Sequence, residues 1–431
     1  EPMLVNPIHM TWDPQGRLWV ICSTSYPQVS PGEKPNDQIV ILEDTDGDGR
    51  ADKSTVFADG LYVPTGLELG DGGVYVANAP DLLFLKDTNG DGKADHREVI
   101  LTGFATEDNH HSISAWRWGP GGWLYFQEGT FMHTQVETPY GTVRLENGGV
   151  FQFQPRTLKL NVFADYRASN PWGHMFDDWG QSFVIDNPRL YFSAPLTANS
   201  RAKLAYDASG EGTKQCGGEF VASSHFPPEV QGEIWTNQYK SHVVARYEVS
   251  DDGAGYTIKG LDPLIQSSSS YFRPVDLKMG PDGAAYILDW YNPLIGHMQH
   301  SFRDERRDTT HGRVWRVTHK SRPLVERPQL TGVPLTKVVS HLRDPESFTR
   351  QQVKRVLYDV DQQQAKQALD EWLLTLVPQE PNYDHHRLEA LWCYQTIGVV
   401  NEELLREVLQ AKDARARAAG MRVLRYWYPE I

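Results

Sequence analysis

Hydrophobic and polar positions alternate in short runs along the first three quarters of the chain, and the runs come in pairs around a glycine turn. The pattern reads TWDPQGRLWV at 11–20, LELGDGGVYV at 67–76 and WRWGPGGWLYF at 116–126. It returns as MFDDWGQSFVI at 175–185, FPPEVQGEIWT at 226–236 and LKMGPDGAAYIL at 277–288. Period-two alternation around a tight turn is the mark of a β-hairpin. The turn glycines Gly16, Gly72, Gly121, Gly180, Gly232 and Gly283 lie roughly 50 to 60 residues apart, enough for one four-stranded unit per repeat. Six such repeats predict a six-bladed β-propeller over 1–320, in preference to a β-sandwich with unrelated hairpins. After HGRVWRV at 311–317 a Pro-containing linker is predicted over 321–334. From Leu335 the apolar period becomes helical. Leu404, Leu405, Val408 and Leu409 share one face, as do Leu388, Leu391 and Trp392, and Pro345, Pro378 and Pro381 punctuate the pattern. Residues 335–431 are therefore expected to form HEAT-like helical repeats.

Composition narrows the function. A net charge of −14 disfavours nucleic acid and anionic membranes, and no apolar run approaches the roughly 18 residues of a membrane span. Three dispersed cysteines, Cys22, Cys216 and Cys393, form no C-x-x-C pair and no haem-attachment motif. The folded-looking sequence begins at Glu1 and a helical pattern still runs at Tyr428, so the chain is expected to derive from something longer.

Two loops, DTDGDGRAD at 44–52 and DTNGDGKAD at 87–95, alternate oxygen-bearing side chains around glycine. This suits a hard cation such as Ca²⁺. The candidate ligands are Asp44, Asp46, Asp48 and Asp52, then Asp87, Asn89, Asp91 and Asp95. Neither loop carries an EF-hand glutamate, and the other reading is a pair of acidic surface turns.

In a propeller, ligands bind where the innermost strands open at the channel mouth. Counting back about ten residues from each turn glycine brings Asn6, Tyr62, His111, Asn170 and Arg273 to that mouth; the fifth repeat offers only Val221 or Ala222. His110 and His111 are the candidate catalytic residues, because a neutral imidazole can take a hydroxyl proton. Arg167, Asn170, Lys240 and Arg273 are the candidate ligand-binding set, suited to carboxylates or phosphates. His297, His300 and His311, with Arg303, Asp304, Arg306 and Arg307, read as a lid or a solvated loop. His174 with Asp177 and Asp178 is a further candidate for a metal site.

The segments HHSISAWRWGPGGWLYF, YRASNPWGHMFDDWGQSFVID, FRPVDLKMGPDGAAYILDWYN and HGRVWRV resemble the propeller of the "membrane-bound dehydrogenase" proteins of Planctomycetes and Verrucomicrobia. In that group a helical segment follows, and often a cytochrome c domain. More distantly the chain is similar to soluble quinoprotein sugar dehydrogenases, which hold pyrroloquinoline quinone (PQQ) and Ca²⁺. The resemblance implies His111 as the base, with Asn170, Lys240 and Arg273 at the cofactor. Ser169 stands where those relatives carry an arginine, and Arg167 lies two residues earlier. It further implies a sugar or polysaccharide substrate, a cytochrome as electron acceptor and a periplasmic or extracellular location. Trp116, Trp172, Trp290 and Tyr291 are candidates for stacking on sugar faces. Two other functions fit the same residues: a carbohydrate-binding or scaffolding propeller without redox chemistry, and a propeller-fold glycan lyase or hydrolase.

Overall fold

The computed structural model describes residues 3–193, 202–207, 214–296, 300–301 and 303–428. Among the described residues, twenty-three strands make six radial sheets and two more form a separate hairpin. The first is β1 (Pro7–Trp12), β2 (Leu18–Cys22), β3 (Asp37–Glu43) and β4 (Lys53–Leu61); the second is β5 (Gly66–Gly70), β6 (Gly73–Asn78), β7 (Asp81–Lys86) and β8 (His96–Thr102). The third joins β9 (Ser114–Trp118), β10 (Leu124–Glu128), β13 (Gly149–Gln154) and β14 (Lys159–Asp165), with the hairpin β11 (His133–Thr138) and β12 (Gly141–Glu146) inserted between its second and third strands. The fourth is β15 (Pro171–Phe176), β16 (Ser182–Asp186), β17 (Arg189–Ser193) and β18 (Ala202–Asp207). The fifth is β19 (Cys216–Phe220), β20 (Ile234–Gln238), β21 (Val243–Asp252) and β22 (Gly255–Gln266); the sixth has three strands, β23 (Pro274–Met279), β24 (Ala285–Asp289) and β25 (Arg313–Val317). The fold is a six-bladed β-propeller followed by helices.

Every blade is sandwiched between two others, so the inner strands are apolar on both faces. In β2, Leu18, Val20 and Cys22 pack with Ala284, Tyr286 and Leu288 of the sixth blade. The alternate residues Trp19 and Ile21 pack with Leu67, Val74 and Val76 of the second. Separate cores fill the remaining four junctions: blades two and three, three and four, four and five, and five and six. The ring closes where the Asn6 amide N–H donates to the His311 carbonyl at 2.8 Å and the Asn6 side chain donates to the Asp308 carbonyl at 2.9 Å.

The predicted turn glycines Gly16, Gly72, Gly180, Gly232 and Gly283 adopt φ between 70° and 80°, a left-handed conformation that costs other residues about 1 kcal/mol or more. In the third blade it is Gly122 (φ 81°), not the predicted Gly121, that takes this role.

Among the described residues six α-helices follow: α1 (Leu335–Ser340), α2 (Ser347–Asp359), α3 (Gln362–Leu373), α4 (Tyr383–Thr396), α5 (Glu402–Val408) and α6 (Ala414–Trp427). Asp361, Asn401 and Asp413 cap α3, α5 and α6 by accepting N–H groups of the first turns. The helices share one core around α4 and sit on the turn end of the propeller. Trp392 packs on Gly180 and Thr396 on Gly122, Gln352 donates to the Trp12 carbonyl at 3.1 Å, and Asp359 accepts the Asp71 amide at 2.8 Å. The turns thus carry the helical domain, which leaves the opposite mouth of the channel for a ligand. No helix among the described residues is long and apolar enough to cross a membrane.

Candidate active site at the open mouth of the channel

A cavity of about 810 Å³ occupies that mouth, and all six blades contribute to its wall. His110, His111, Asn170, Lys240 and Arg273 line it together, as do Trp116, Trp172 and Trp290.

His111 sits on the turn before β9, buried. Its Nδ1 lies 2.9 Å from the Thr130 carbonyl. A carbonyl can only accept, and this is the shorter of the ring's two contacts with acceptor oxygens, so a neutral ring places its proton on Nδ1 and its lone pair on Nε2. Nε2 lies 3.4 Å from Asn170 Oδ1, and Asp108 Oδ2 lies 3.6 Å from Nδ1. The ring needs Gly129 beneath it: a Cβ there would come within 2.9 Å of the imidazole.

His110 serves as a bracket. Its Nε2 makes a short hydrogen bond with the Tyr26 hydroxyl, whose acidity burial suppresses, and its carbonyl accepts the Trp172 indole N–H at 2.9 Å. Trp172 in turn lies nearly parallel to His111, with ring centres 6.4 Å apart. Tyr26 also meets Trp290 edge-on at 5.5 Å, and the buried Trp290 Nε1 has no hydrogen-bond partner.

The predicted cations divide. Arg273 is buried at the wall, but its guanidinium is spent on backbone: it donates to the carbonyls of Asn292 at 2.9 Å, Tyr239 at 2.8 Å and Pro293 at 3.1 Å. Burial lowers its pKa to about 10. Arg273 therefore clamps the loops that shape the cavity and has little left for a ligand. Arg167, expected at the cofactor, does not line the cavity and is exposed. Its neighbour Tyr166 turns inward to Gln127 at 3.1 Å, while Arg167, past the end of β14 and left-handed at φ 48°, lies at the surface. Ser169 lines the wall and donates to Asp186 at 2.9 Å. Lys240 stands exposed at the rim.

Lys214 joins the set, a residue missed by counting back from the turn glycine. Its Nζ donates to Asn170 Oδ1 at 3.0 Å and lies 5.3 Å from the Trp172 ring centre. Burial, then repulsion from Lys240, lowers its pKa. The other blades connect their first two strands through two to five residues, but 221–233 separate β19 from β20. The count therefore fell on Val221 and Ala222 instead of the residues at the start of β19. Asn6 and Tyr62, also expected at the mouth, do not line the cavity.

The floor is charged and internally matched. Arg117 holds Glu219 through contacts of 2.8 and 3.1 Å, and Lys278 lies 3.4 Å from Glu68. Burial, then the positive charge of Lys278 and Arg117, keeps His9 neutral. Burial and Arg117 push His174 down to about 3. The suggested metal site at His174 is not formed: its Nε2 bonds Ser182 at 2.8 Å, Asp178 pairs with Arg350, and Asp177 accepts turn N–H groups.

The two acidic loops join outer strands and are not part of the cavity wall. Asp44, Asp46 and Asp48 bring carboxylate oxygens within 4.8 Å of one another. Asp52 is turned to Thr45 at 2.7 Å and Asp95 to Thr88 at 2.7 Å, so both close their loops. The second loop repeats the pattern, Asp87 accepting Gly90 and Gly92 N–H groups and Asn89 that of Asp91. In the polar loop before β25, His300 lines the cavity. His311 pairs with Asp308 and Arg306 with Asp304, and His297 lies outside the described residues. Tyr291 packs against Tyr271 and Arg313 outside the cavity wall.

The sequence profile of a domain of unknown function, DUF7133, matches residues 1–204 and 193–321. The chain belongs to that family. No curated protein matches it. Among solved structures, the DUF7133 propeller is similar to a luciferin-regenerating enzyme, at 11% identity and a TM-score of 0.50, with 74% of this chain and 92% of that one covered. It is similar to a putative oxidoreductase (glucose dehydrogenase) from Thermus thermophilus, at 16% identity and a TM-score of 0.50, covering 73% and 98%. A PQQ-bound aldose sugar dehydrogenase from Streptomyces coelicolor aligns at 12% identity and a TM-score of 0.47, covering 73% and 96%. At these identities the likeness is one of fold.

Proposed function

We propose that this DUF7133 protein is an oxidoreductase that oxidises a CH–OH group of a sugar or polysaccharide at the open channel mouth, with PQQ as hydride acceptor. The observation that carries the reading is His111: its Nδ1 proton is committed to Thr130, which leaves a basic Nε2 at the wall of a large aromatic-lined cavity. The donor set fits an anionic quinone. Lys214 and Lys240 supply positive charge, and the unpartnered Trp290 Nε1 supplies a buried N–H.

Bound PQQ would supply the carbonyl carbon that accepts hydride. The protein does the rest. The substrate hydroxyl proton passes to His111 Nε2 as the C–H bond breaks. Asn170 Oδ1 and Asp108 hold the resulting imidazolium. Trp172 and Tyr239, edge-on at 5.6 Å, offer apolar surface to a sugar face, and His110 fixes Tyr26 and Trp172. Arg273 acts at one remove by tying the loops that carry Tyr239 and Trp290.

We also assign the chain to the "membrane-bound dehydrogenase" group, with a cytochrome c domain or protein as acceptor and a periplasmic or extracellular setting; the support is the sequence resemblance. A structural Ca²⁺ at Asp44, Asp46 and Asp48 completes the proposal, supported by their converging carboxylates.

The test is reconstitution of the purified chain with PQQ and Ca²⁺, followed by dye-coupled oxidation of a panel of sugars and glycans. Saturable PQQ binding is expected, with turnover that falls about 10²- to 10⁴-fold in His111→Ala. Absence of PQQ binding overturns the proposal. Glycan binding without turnover would then identify a binding propeller, and new reducing ends or unsaturated products without an electron acceptor would identify a lyase or hydrolase.

A further inference from the structure

At the opposite end of the channel, between the propeller turns and the helical domain, lies a second chamber of about 160 Å³. Five cations line it. Four have carboxylate partners: Arg117 with Glu219, Lys278 with Glu68, Arg350 with Asp178 and Lys354 with Glu389. The fifth, Arg355, has none. It comes from the last turns of α2 and is 6% exposed, yet its Nε and both terminal nitrogens lack any hydrogen-bond partner. Among the described residues no carboxylate lies within ion-pair distance of it. Its guanidinium lies 3.9 Å from the Trp118 ring centre and 5.2 Å from that of Tyr358. The aromatic faces hold the cation in place but leave its N–H edge unbonded.

Three further buried donors that line the chamber are also unpartnered, Arg117 Nε, Trp12 Nε1 and Gln351 Nε2, together with one acceptor, Gln352 Oε1. Neither of the two remaining carboxylates forms an ion pair with Arg355, although Asp359, Glu68 and Asp71 act on it electrostatically. Asp359 accepts the Asp71 amide and Asp177 accepts those of Trp179 and Gln181. Burial raises the pKa of both.

A buried guanidinium with no directly paired carboxylate and no hydrogen-bond acceptor is unfavourable. Water satisfies N–H groups but not charge. The chamber has room for several waters, or for a small anion with a partial shell.

From these observations we infer that the chamber is a binding site for a small inorganic anion, held by the guanidinium of Arg355 and flanked by the N–H groups of Arg117 and Trp12. An anion here binds only when the helical domain is seated, because α2 supplies Arg355 while the propeller supplies Arg117, Trp12 and Trp118. It therefore acts as a pin between the two parts of the chain, at the far end from the proposed sugar site and independent of that function.

The full chain tests this directly. Crystals grown with bromide should show an anomalous peak in contact with Arg355, and crystals grown with phosphate should show whether a tetrahedral oxyanion takes the same place. In solution, bromide, chloride or phosphate replaces HEPES at constant ionic strength. The thermal midpoint of the wild type should rise by several degrees and saturate with at least one of these anions. Arg355→Met, which keeps bulk and removes charge and donors, should abolish that dependence. Water alone at Arg355 in both crystals, or equal anion dependence in wild type and Arg355→Met, overturns the inference. If Arg355→Met does not fold, the wild-type anomalous map decides.

Discussion

Glu389 on α4 is the most heavily loaded carboxylate in the helical domain. It is 2% exposed and meets Arg350 Nε at 3.0 Å and Lys354 Nζ at 2.7 Å, while Arg350 also reaches Asp178 of the propeller at 2.6 Å. Burial pushes its pKa up, but Lys354 and Arg350 outweigh burial and hold it near 2 against an ordinary 4.5. That difference corresponds to about 3 kcal/mol of stability at neutral pH. Removing the charge as Glu389→Gln leaves Lys354 with the face of Trp392, whose ring centre lies 5.0 Å away, and leaves Arg350 with the half-exposed Asp178 and the carbonyls of Asp344 and Pro345. Loss of one member of a buried pair costs about 3–5 kcal/mol, so the two routes agree. The contribution is complete above about pH 4.5 and is lost as pH falls toward 2, because the native carboxylate binds its proton more weakly than the unfolded one. Urea unfolding followed by the far-UV helical signal should show a gap of about 3 kcal/mol between wild type and Glu389→Gln at pH 7. The gap should narrow as pH falls below about 4.5. A gap under about 1 kcal/mol at pH 7, or one of constant size down to about pH 3, refutes the reasoning.

Three further outcomes are expected. Gly122→Ala forces a left-handed residue and brings a Cβ within 2.9 Å of Thr396 Cα; it should cost about 1–3 kcal/mol by thermal unfolding. Gly121→Ala meets only the flexible Gln395 side chain and should cost less. Arg273→Met strands the carbonyls of Tyr239, Asn292 and Pro293 at about 1–3 kcal/mol each, so both the melting temperature and PQQ binding should fall, and Arg273→Lys should restore neither fully. An unchanged melting temperature in Arg273→Met would exclude the clamp. Ca²⁺ should raise the melting temperature of the wild type, reversibly with chelator, and Asp46→Asn should weaken that response; no shift with Ca²⁺ would exclude the loop site.

The blades and helices were legible in the sequence because their signals are local. Short apolar runs such as Leu18 to Cys22, a glycine at each turn, and the helical spacing of Leu404, Leu405 and Val408 are all features that neighbouring residues share. His111 and Asn170 were legible for a related reason: blade repeats place equivalent positions at one mouth. Local pattern cannot count an insertion, so the 13 residues at 221–233 hid Lys214. Nor does it show which way a side chain turns or what already occupies its donors. Arg167 and Arg273 read alike as cations beside a site, yet one faces solvent and the other is consumed by three carbonyls. Arg355 is the converse case. On α2 it is one more basic residue in a helical pattern, and only the seating of that helix on Trp118 makes it a buried charge without a partner. Tertiary packing decides such matters because burial and pairing depend on groups hundreds of residues apart, and a charge in the interior is set by those neighbours alone.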